Sequence, residues 1–428
     1  MKVLLLGSGG RESALAGALR RSSLLTELVA APGNPFIASF AEIEPLDSED
    51  VSAVLEATRK LKPDLVVVGP EAPLVAGVGD ALRSEGIPVF GPNAAAARIE
   101  GSKAFAKEVM ARAGVAVPDW GVFSGAREAI SFMDKLGSPY VVKADGLAAG
   151  KGVAVTEDRS EAIQAIEGSL VQKDFGAAGD RVVVEEFLDG PEVSLIAITD
   201  GRTVIACEPA QDYKRVHDGD AGPNTGGMGS YSPVPACPPD IADEIVSDMI
   251  EPVVRALEVE GGFVGALYAG LVLTARGPRV LEFNARFGDP ETQALLPRLK
   301  SDFGEIALAA ATKELAGTKV EWSTDACVSV VLASKGYPGS YSKGIEIFGA
   351  EAAGAMDGVE VFHAGTAIKD GRLVTAGGRV LAVSALGATF ADARTLAYKA
   401  VNEIDFEGKH TRTDIALRAE DSEAQEVK

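Results

Sequence analysis

Cysteine is scarce in this chain of 428 residues: only Cys207, Cys237 and Cys327 occur. Their odd number and wide spacing exclude a disulfide framework and a thiolate metal site. Histidine is equally scarce, with 3 residues, so zinc chemistry lacks its usual ligands. No apolar run reaches the roughly 18 residues that span a bilayer. The run Val3–Leu6 is too short for the core of a secretory signal, and only Lys2 precedes it as a charge. Basic residues are outnumbered, 41 Lys and Arg against 62 Asp and Glu, for a net charge of −21. A surface that tracks phosphate backbones needs a basic stripe, and none is present. We therefore expect a cytoplasmic monomer with neither membrane nor nucleic acid among its partners. Such an acidic chain would need local clusters of glycine amides, lysines, arginines and metal to hold anionic ligands.

What is present is a large apolar fraction, 46%, in a chain whose length suggests about three domains. Residues 1–102 read as an open α/β unit. Val3–Leu6, Leu28–Ala31, Leu65–Val68 and Val89-Phe90 are short buried strands, alternating with helices over Arg11–Arg21 and Val51–Lys60. That alternation predicts a parallel sheet with ligands outside the strands' carboxyl ends. Residues 103–325 form the middle part and open with a helix over 103–118. Residues 326–421 read as a separate α/β domain with an antiparallel sheet, and 422–428 as a charged tail.

The most informative stretch is Val280-Leu-Glu-Phe-Asn-Ala-Arg-Phe-Gly-Asp-Pro-Glu291. Leu281, Phe283, Ala285 and Phe287 alternate with Glu282, Asn284 and Arg286, which predicts a strand with one buried face. Glu282 and Asn284 place a carboxylate and an amide oxygen about 7 Å apart along that strand. Two hard donors suit Mg²⁺, which keeps phosphates and waters for its remaining positions. Arg286 adds a planar fork for a carboxylate or phosphate. A merely solvated strand face would read the same way.

Other segments carry chemistry of the same kind. Gly7-Ser-Gly-Gly10 offers free amides at a helix N-terminus, an anion site for a phosphate-bearing substrate or an ordinary tight turn. Glu12 stands where a dinucleotide fingerprint needs its third glycine. Lys103 and Lys107 lie one turn apart on the helix that opens the middle part. Lys143 precedes a loop of small residues containing Gly146, Gly150, Lys151 and Gly152, whose backbone can approach phosphate oxygens. Val182–Phe187 and Glu192–Ile198 are strands that form either a plain hairpin or the rim of an adenine site. In the second reading the backbone near Glu185–Leu188 meets the base edge and Glu192 the ribose. Residues 211–231, with Asp212, Lys214, Arg215 and Gly227, read as one long polar loop region, and loops of that length are usually functional.

The strings Lys143–Val153, Gly222–Ser232 and Glu282–Thr292, together with Gly7–Ser13, Gly69–Val75, Asp212–Val216, Lys335–Gly339, His363–Thr366 and Gly377–Leu381, closely resemble the phosphoribosylamine–glycine ligase family of the ATP-grasp superfamily. The resemblance runs from Met1 to about Ala419. It implies an N-terminal open parallel-sheet (pre-ATP-grasp) domain over 1–102, an ATP-grasp domain over 103–325 with a mobile lid over about 118–193, and a C-terminal mixed α/β domain. It implies the second step of de novo purine biosynthesis: ATP, glycine and 5-phosphoribosylamine give glycinamide ribonucleotide, ADP and phosphate through glycyl phosphate. Expected nucleotide contacts are Lys103, Lys143, Gly150, Lys151, Gly152, Glu185, Leu188 and Glu192, with Mg²⁺ or Mn²⁺ on Glu282 and Asn284. Arg286, Lys151 and Asp212 are expected at the reacting groups, Arg286 for the acyl phosphate or glycine carboxylate and Asp212 for the glycine ammonium. Gly9, Gly10, Asn34 and Glu71 resemble the phosphoribosylamine site, with Lys214 and Gly227 also expected at the substrates. The chain departs from the family at Ser13, where His is typical, and at Ser8, where Asn is common.

Overall fold

The computed structural model describes residues 1–147 and 152–426; Gly150 and Lys151 lie outside the described residues. The N-terminal sheet comprises β1 (Lys2–Gly7), β2 (Glu27–Pro32), β3 (Glu42–Ile43), β4 (Leu65–Val68) and β5 (Val89–Phe90), in the order β3-β2-β1-β4-β5 and wholly parallel. Its central strands are runs of Leu and Val buried on both faces, as helix-covered parallel strands require. The expected parallel α/β unit is therefore present, and its Gly/Pro/Asn loops gather at the carboxyl ends. Helix α1 (Gly10–Arg20) follows β1, and helix α2 (Ala94–Gly101), capped by Asn93, follows β5. Helix α3 (Lys103–Ala113) then starts at Ser102, whose hydroxyl accepts from the Phe105 amide. It ends earlier than the expected 118, because Gly114 takes φ +70° and turns the chain out of the helix.

A second sheet is antiparallel, with β6 (Trp120–Phe123), β7 (Tyr140–Ala144), β8 (Val153–Thr156) and β9 (Val182–Glu185) in the order β6-β9-β7-β8. It has its own small core of Ala129, Met133, Val142, Ala162, Ile166, Val182 and Val184. A third sheet begins with β10 (Glu192–Thr199) and β11 (Val204–Ala206). Since β9 and β10 belong to different sheets, the plain-hairpin reading of 182–198 is corrected: residues 186–191 link two sheets.

Residues 211–231 are not one loop either. They contain β12 (Gln211–Asp212), the paired β13 (Arg215–His217) and β14 (Ala221–Asn224), and then β15 (Gly229–Ser232). Glycines and polar residues in these short segments obscured the strands. The third sheet is completed by β16 (Gly265–Thr274) and β17 (Gly277–Asn284), in the order β11-β10-β16-β17. The alternation expected in β17 holds from Glu282 onward but fails at Leu281. Gly270 pairs with Glu282 and Leu271 with Val280, so Leu281 is the extra residue of a bulge, and Val280 takes the core position.

The C-terminal sheet contains β18 (Ala326–Ala333), β19 (Val359–His363) and β22 (Arg379–Gly387), with β20 (Thr366–Lys369) and β21 (Arg372–Thr375) as a separate hairpin. Its order is β12-β15-β18-β22-β19, so two strands from 211–232 complete the sheet of 326–421. Backbone pairing therefore joins that C-terminal part to two strands from the middle of the chain.

Candidate functional site

The bulge before Glu282 sets its side chain and that of Asn284 on one face of β17, with Asn284 Nδ2 at 3.4 Å from Glu282 Oε1. Burial pushes the Glu282 carboxyl up, but Lys143, Lys103 and Lys214 outweigh burial and hold it below the usual carboxylate range. An ionised carboxylate beside an amide oxygen fits a hard divalent cation. Among the described residues no group of three or more His, Cys, Asp or Glu could cage a metal. The donor set therefore fits an ion that shares its shell with phosphates and water.

Three lysines from two elements meet this face. Lys143 comes from β7, and Lys103 and Lys107 from the first two turns of α3. Lys143 Nζ lies 2.8 Å from Glu185 Oε2 and Lys107 Nζ 3.0 Å from Glu185 Oε1. Glu185, at the end of β9, is 2% exposed, so its carboxylate binds lysines inside the protein and only its backbone borders the 186–191 linker. Leu188, in that linker, is buried. Asp145 fixes the sheet to the helix. It accepts from the Ala104 amide at 2.7 Å and from Ser102 Oγ at 3.0 Å, and pairs with Arg181 at 2.6 Å.

On the far wall, Lys214 Nζ sits 2.6 Å from Glu192 Oε2 and 2.7 Å from Asp212 Oδ1. Burial pushes the Asp212 carboxyl up to about 6, with Glu291 and Glu192 adding and Lys214 opposing. Lys214 itself is held well above its ordinary value against burial by Asp212 and Glu192. Behind them, buried Glu291 accepts from Ser194 Oγ at 2.8 Å, and Ser194 bonds Tyr268 Oη at 2.8 Å.

A second cluster begins two residues beyond Asn284. Arg286 lies 2.5 Å from Glu100 Oε1 and 3.3 Å from Glu71 Oε2, and Arg11 lies 3.8 Å from the same Glu71 oxygen. Burial raises the Glu100 carboxyl to about 7, with Arg286 and the Ala285 amide opposing. Burial also works against the Glu71 charge, but Arg286 and Arg11 prevail and keep its carboxyl low. Alternating charges thus connect the N-terminal loops to the end of β17.

Some expected site residues have internal partners instead. The Gly9 amide, expected to be free for an anion, donates to Glu12 Oε2 at 2.6 Å. The carboxylate of α1's own first turn fills that place, as in a capping box, and corrects the free-amide reading. The same side chain packs against Gly7 and Gly69, where an added Cβ would come within 2.5 Å and 2.2 Å of it. Gly10 is the first residue of α1. Asn34 Nδ2 donates to Ser8 O at 2.9 Å, Ser13 Oγ at 2.8 Å and His363 O at 3.0 Å, while its Oδ1 caps the Ile37 amide. Ser13 Oγ also donates to His363 O, at 2.6 Å. Gly227 takes φ +106°, and a Cβ there would lie 2.3 Å from Pro290 Cδ, so packing alone demands glycine. Gly152 follows the undescribed residues and leads into β8.

The structure thus gathers Lys103, Lys143, Glu185, Glu192, Asp212, Lys214, Glu282 and Asn284 around one face, with Arg286 and Glu71 beside it. Sequence reasoning missed Glu100, Asp145 and Glu291. Only Asp145 had a usable local signal, as an acid directly after the Lys143 strand.

Three family profiles match the chain in tandem: the phosphoribosylglycinamide synthetase N domain over 1–100, its ATP-grasp (A) domain over 101–292 and its C domain over 327–418. The phosphoribosylamine–glycine ligase of Mesorhizobium japonicum is 50% identical over 420 residues, covering 98% of each chain. That of Streptomyces coelicolor is 52% identical over 423 residues, covering 98% of this chain and 99% of the relative. The crystal structure of the Thermotoga maritima phosphoribosylamine–glycine ligase matches with a TM-score of 0.81 at 36% identity, over 97% of this chain and 100% of that one. A biotin carboxylase from Campylobacter jejuni matches with a TM-score of 0.74 at 16% identity, over 96% of this chain and 92% of that one, a likeness of fold alone.

Proposed function

The chain belongs to the phosphoribosylglycinamide synthetase family, and from that premise we propose how its residues share the work. It is an ATP-dependent ligase that joins glycine to 5-phosphoribosylamine in purine biosynthesis. The observation that carries our assignment of roles is the meeting of Glu282 and Asn284 with Lys103 and Lys143 on one face.

Phosphoryl transfer to a carboxylate brings anions together and depends on positioning and charge neutralisation. Lys103 and Lys143 hold the nucleotide phosphates. Gly150, Lys151 and Gly152 cover them, with Lys151 at the transferred group. The backbone after Glu185, through Leu188, meets the adenine edge, and Glu192 takes the ribose hydroxyls by exchanging part of its contact with Lys214. Glu282 and Asn284 hold Mg²⁺ or Mn²⁺, which supplies charge neutralisation for the phosphates when bound.

Arg286 orients the glycine carboxylate and Asp212 its ammonium. The carboxylate oxygen attacks the γ-phosphorus and ADP leaves, giving glycyl phosphate. The amine of phosphoribosylamine then attacks the acyl carbon, the C–O bond to phosphate breaks, and the amine gives up a proton. Glu71, Gly9, Gly10, Asn34 and Gly227 surround that second substrate. For Asn34 this means the backbone, since its side-chain amide already has partners; for Gly9, whose N–H is held by Glu12, it means the close approach that a missing side chain permits. The segment 118–193 closes over the nucleotide as a lid.

No helix among the described residues is long and apolar enough to cross a membrane. We further propose that the enzyme works as a cytoplasmic monomer. The test is ADP release from the purified chain. It should require glycine and in-situ generation of 5-phosphoribosylamine together, and turnover with another amino acid in glycine's place would favour a different ATP-grasp carboxylate–amine ligase.

A further inference from the structure

Lys107 has no place in the roles above, yet it is 1% exposed and among the largest fully buried side chains of the molecule. Its ammonium lies 3.0 Å from Glu185 Oε1, and Lys143 occupies the other oxygen, Oε2, at 2.8 Å. Glu185 is therefore one carboxylate shared between two ammoniums. The three residues come from separate elements: Lys107 from α3, Lys143 from β7 and Glu185 from the adjacent strand β9, where Glu185 pairs with Val141. A buried lysine is costly to keep, and an apolar residue of similar volume would often serve stability as well.

The charge balance gives Lys107 a use. Within this triad, the two ammoniums of Lys107 and Lys143 face the single Glu185 carboxylate. One positive charge remains over. Without Lys107 the count would close to zero before any phosphate arrived, and Glu185 would neutralise Lys143 alone.

We propose that Lys107 is a positioning residue for nucleotide binding: by sharing Glu185, it leaves the Lys143 ammonium in surplus for the nucleotide phosphates. This rests on the nucleotide role of Lys143 proposed above. Lys107 touches no substrate and acts through Glu185.

The test is the ATP KM of the full-length enzyme in Lys107→Met, Glu185→Gln, the double variant and Lys143→Met, with the glycine KM measured alongside. Lys107→Met should raise the ATP KM about tenfold or more, the scale of the Glu185 charge falling on Lys143 alone in a partly desolvated site, and leave the glycine KM unchanged. Adding Glu185→Gln should return the ATP KM most of the way to wild type, because the surplus charge is restored. A purely structural ion pair has no reason to recover, so a double variant as impaired as Lys107→Met overturns the inference. If Lys107→Met does not fold, Glu185→Gln is compared with the double variant. The inference expects ATP KM values within about twofold, and a tenfold gap overturns it. Lys143→Met separates the two failures. An unchanged ATP KM there refutes the role of Lys143 itself, whereas a raised KM there with none in Lys107→Met refutes only the inference.

Discussion

Acidification should loosen the junction between the N- and C-terminal parts through one imidazole. His363 ends β19, and its carbonyl accepts from both Ser13 and Asn34 of the N-terminal part. Its ring lies against Phe36 at 5.9 Å between centroids, with Nδ1 at 3.1 Å from Thr366 Oγ1. Burial lowers its pKa from 6.5 to about 4. A folded-state pKa below the unfolded one means that the stabilisation is complete above pH 6.5 and is lost as pH falls toward 4. The gap corresponds to roughly 3 kcal/mol in full, of which about 2 kcal/mol is gone by pH 5. The chain has only 3 histidines, so each ring can be followed separately by NMR. We expect the His363 ring to stay neutral through pH 5. Urea unfolding at pH 7 and pH 5 should cost wild type about 2 kcal/mol more than His363→Gln, because every other titrating group cancels in the difference. A His363 midpoint near 6.5, or equal losses in both proteins, would refute the reasoning.

Arg412 is 0% exposed, donates to Asp414, Asp220 and the Arg215 carbonyl, and lies 4.7 Å from the Tyr213 ring centroid. Its contacts flank Lys214, so Arg412→Ala should cost roughly 3–5 kcal/mol and show the loss as a lower denaturation midpoint; an unchanged midpoint would contradict the burial of the guanidinium. Glu282→Ala should lower kcat by roughly 10²–10³, as removal of a charge-stabilising group does. Near-normal turnover in a steady-state assay would take Glu282 out of the proposed site.

The N-terminal sheet was legible because Val3–Leu6 and Leu65–Val68 are continuous apolar runs punctuated by Gly and Pro, a local signal of buried parallel strands. Glu282 and Asn284 were legible because strand period places them together whatever lies around them. Leu281 was misread because a bulge depends on the partner strand, which periodicity does not contain. The β12 and β15 strands escaped for a similar reason, since Gln211–Asp212 and Gly229–Ser232 become strands by pairing with each other and, for the second, with β18. Charge partnerships were the least legible. In the sequence Lys107 showed only as a lysine one turn from Lys103, and only the fold brings Glu185 to it. Glu12 was read as a missing glycine, whereas the fold uses it as the anion at its own helix start.

Pairing of Ser232 with Cys327 has a consequence for synthesis on the ribosome. Translation proceeds from the N-terminus, so the donor edge emerges well before its mate. At about 5–20 residues per second it waits for several seconds, unpaired and open to wrong neighbours. A gene cut between these two stretches would make that wait permanent for both products.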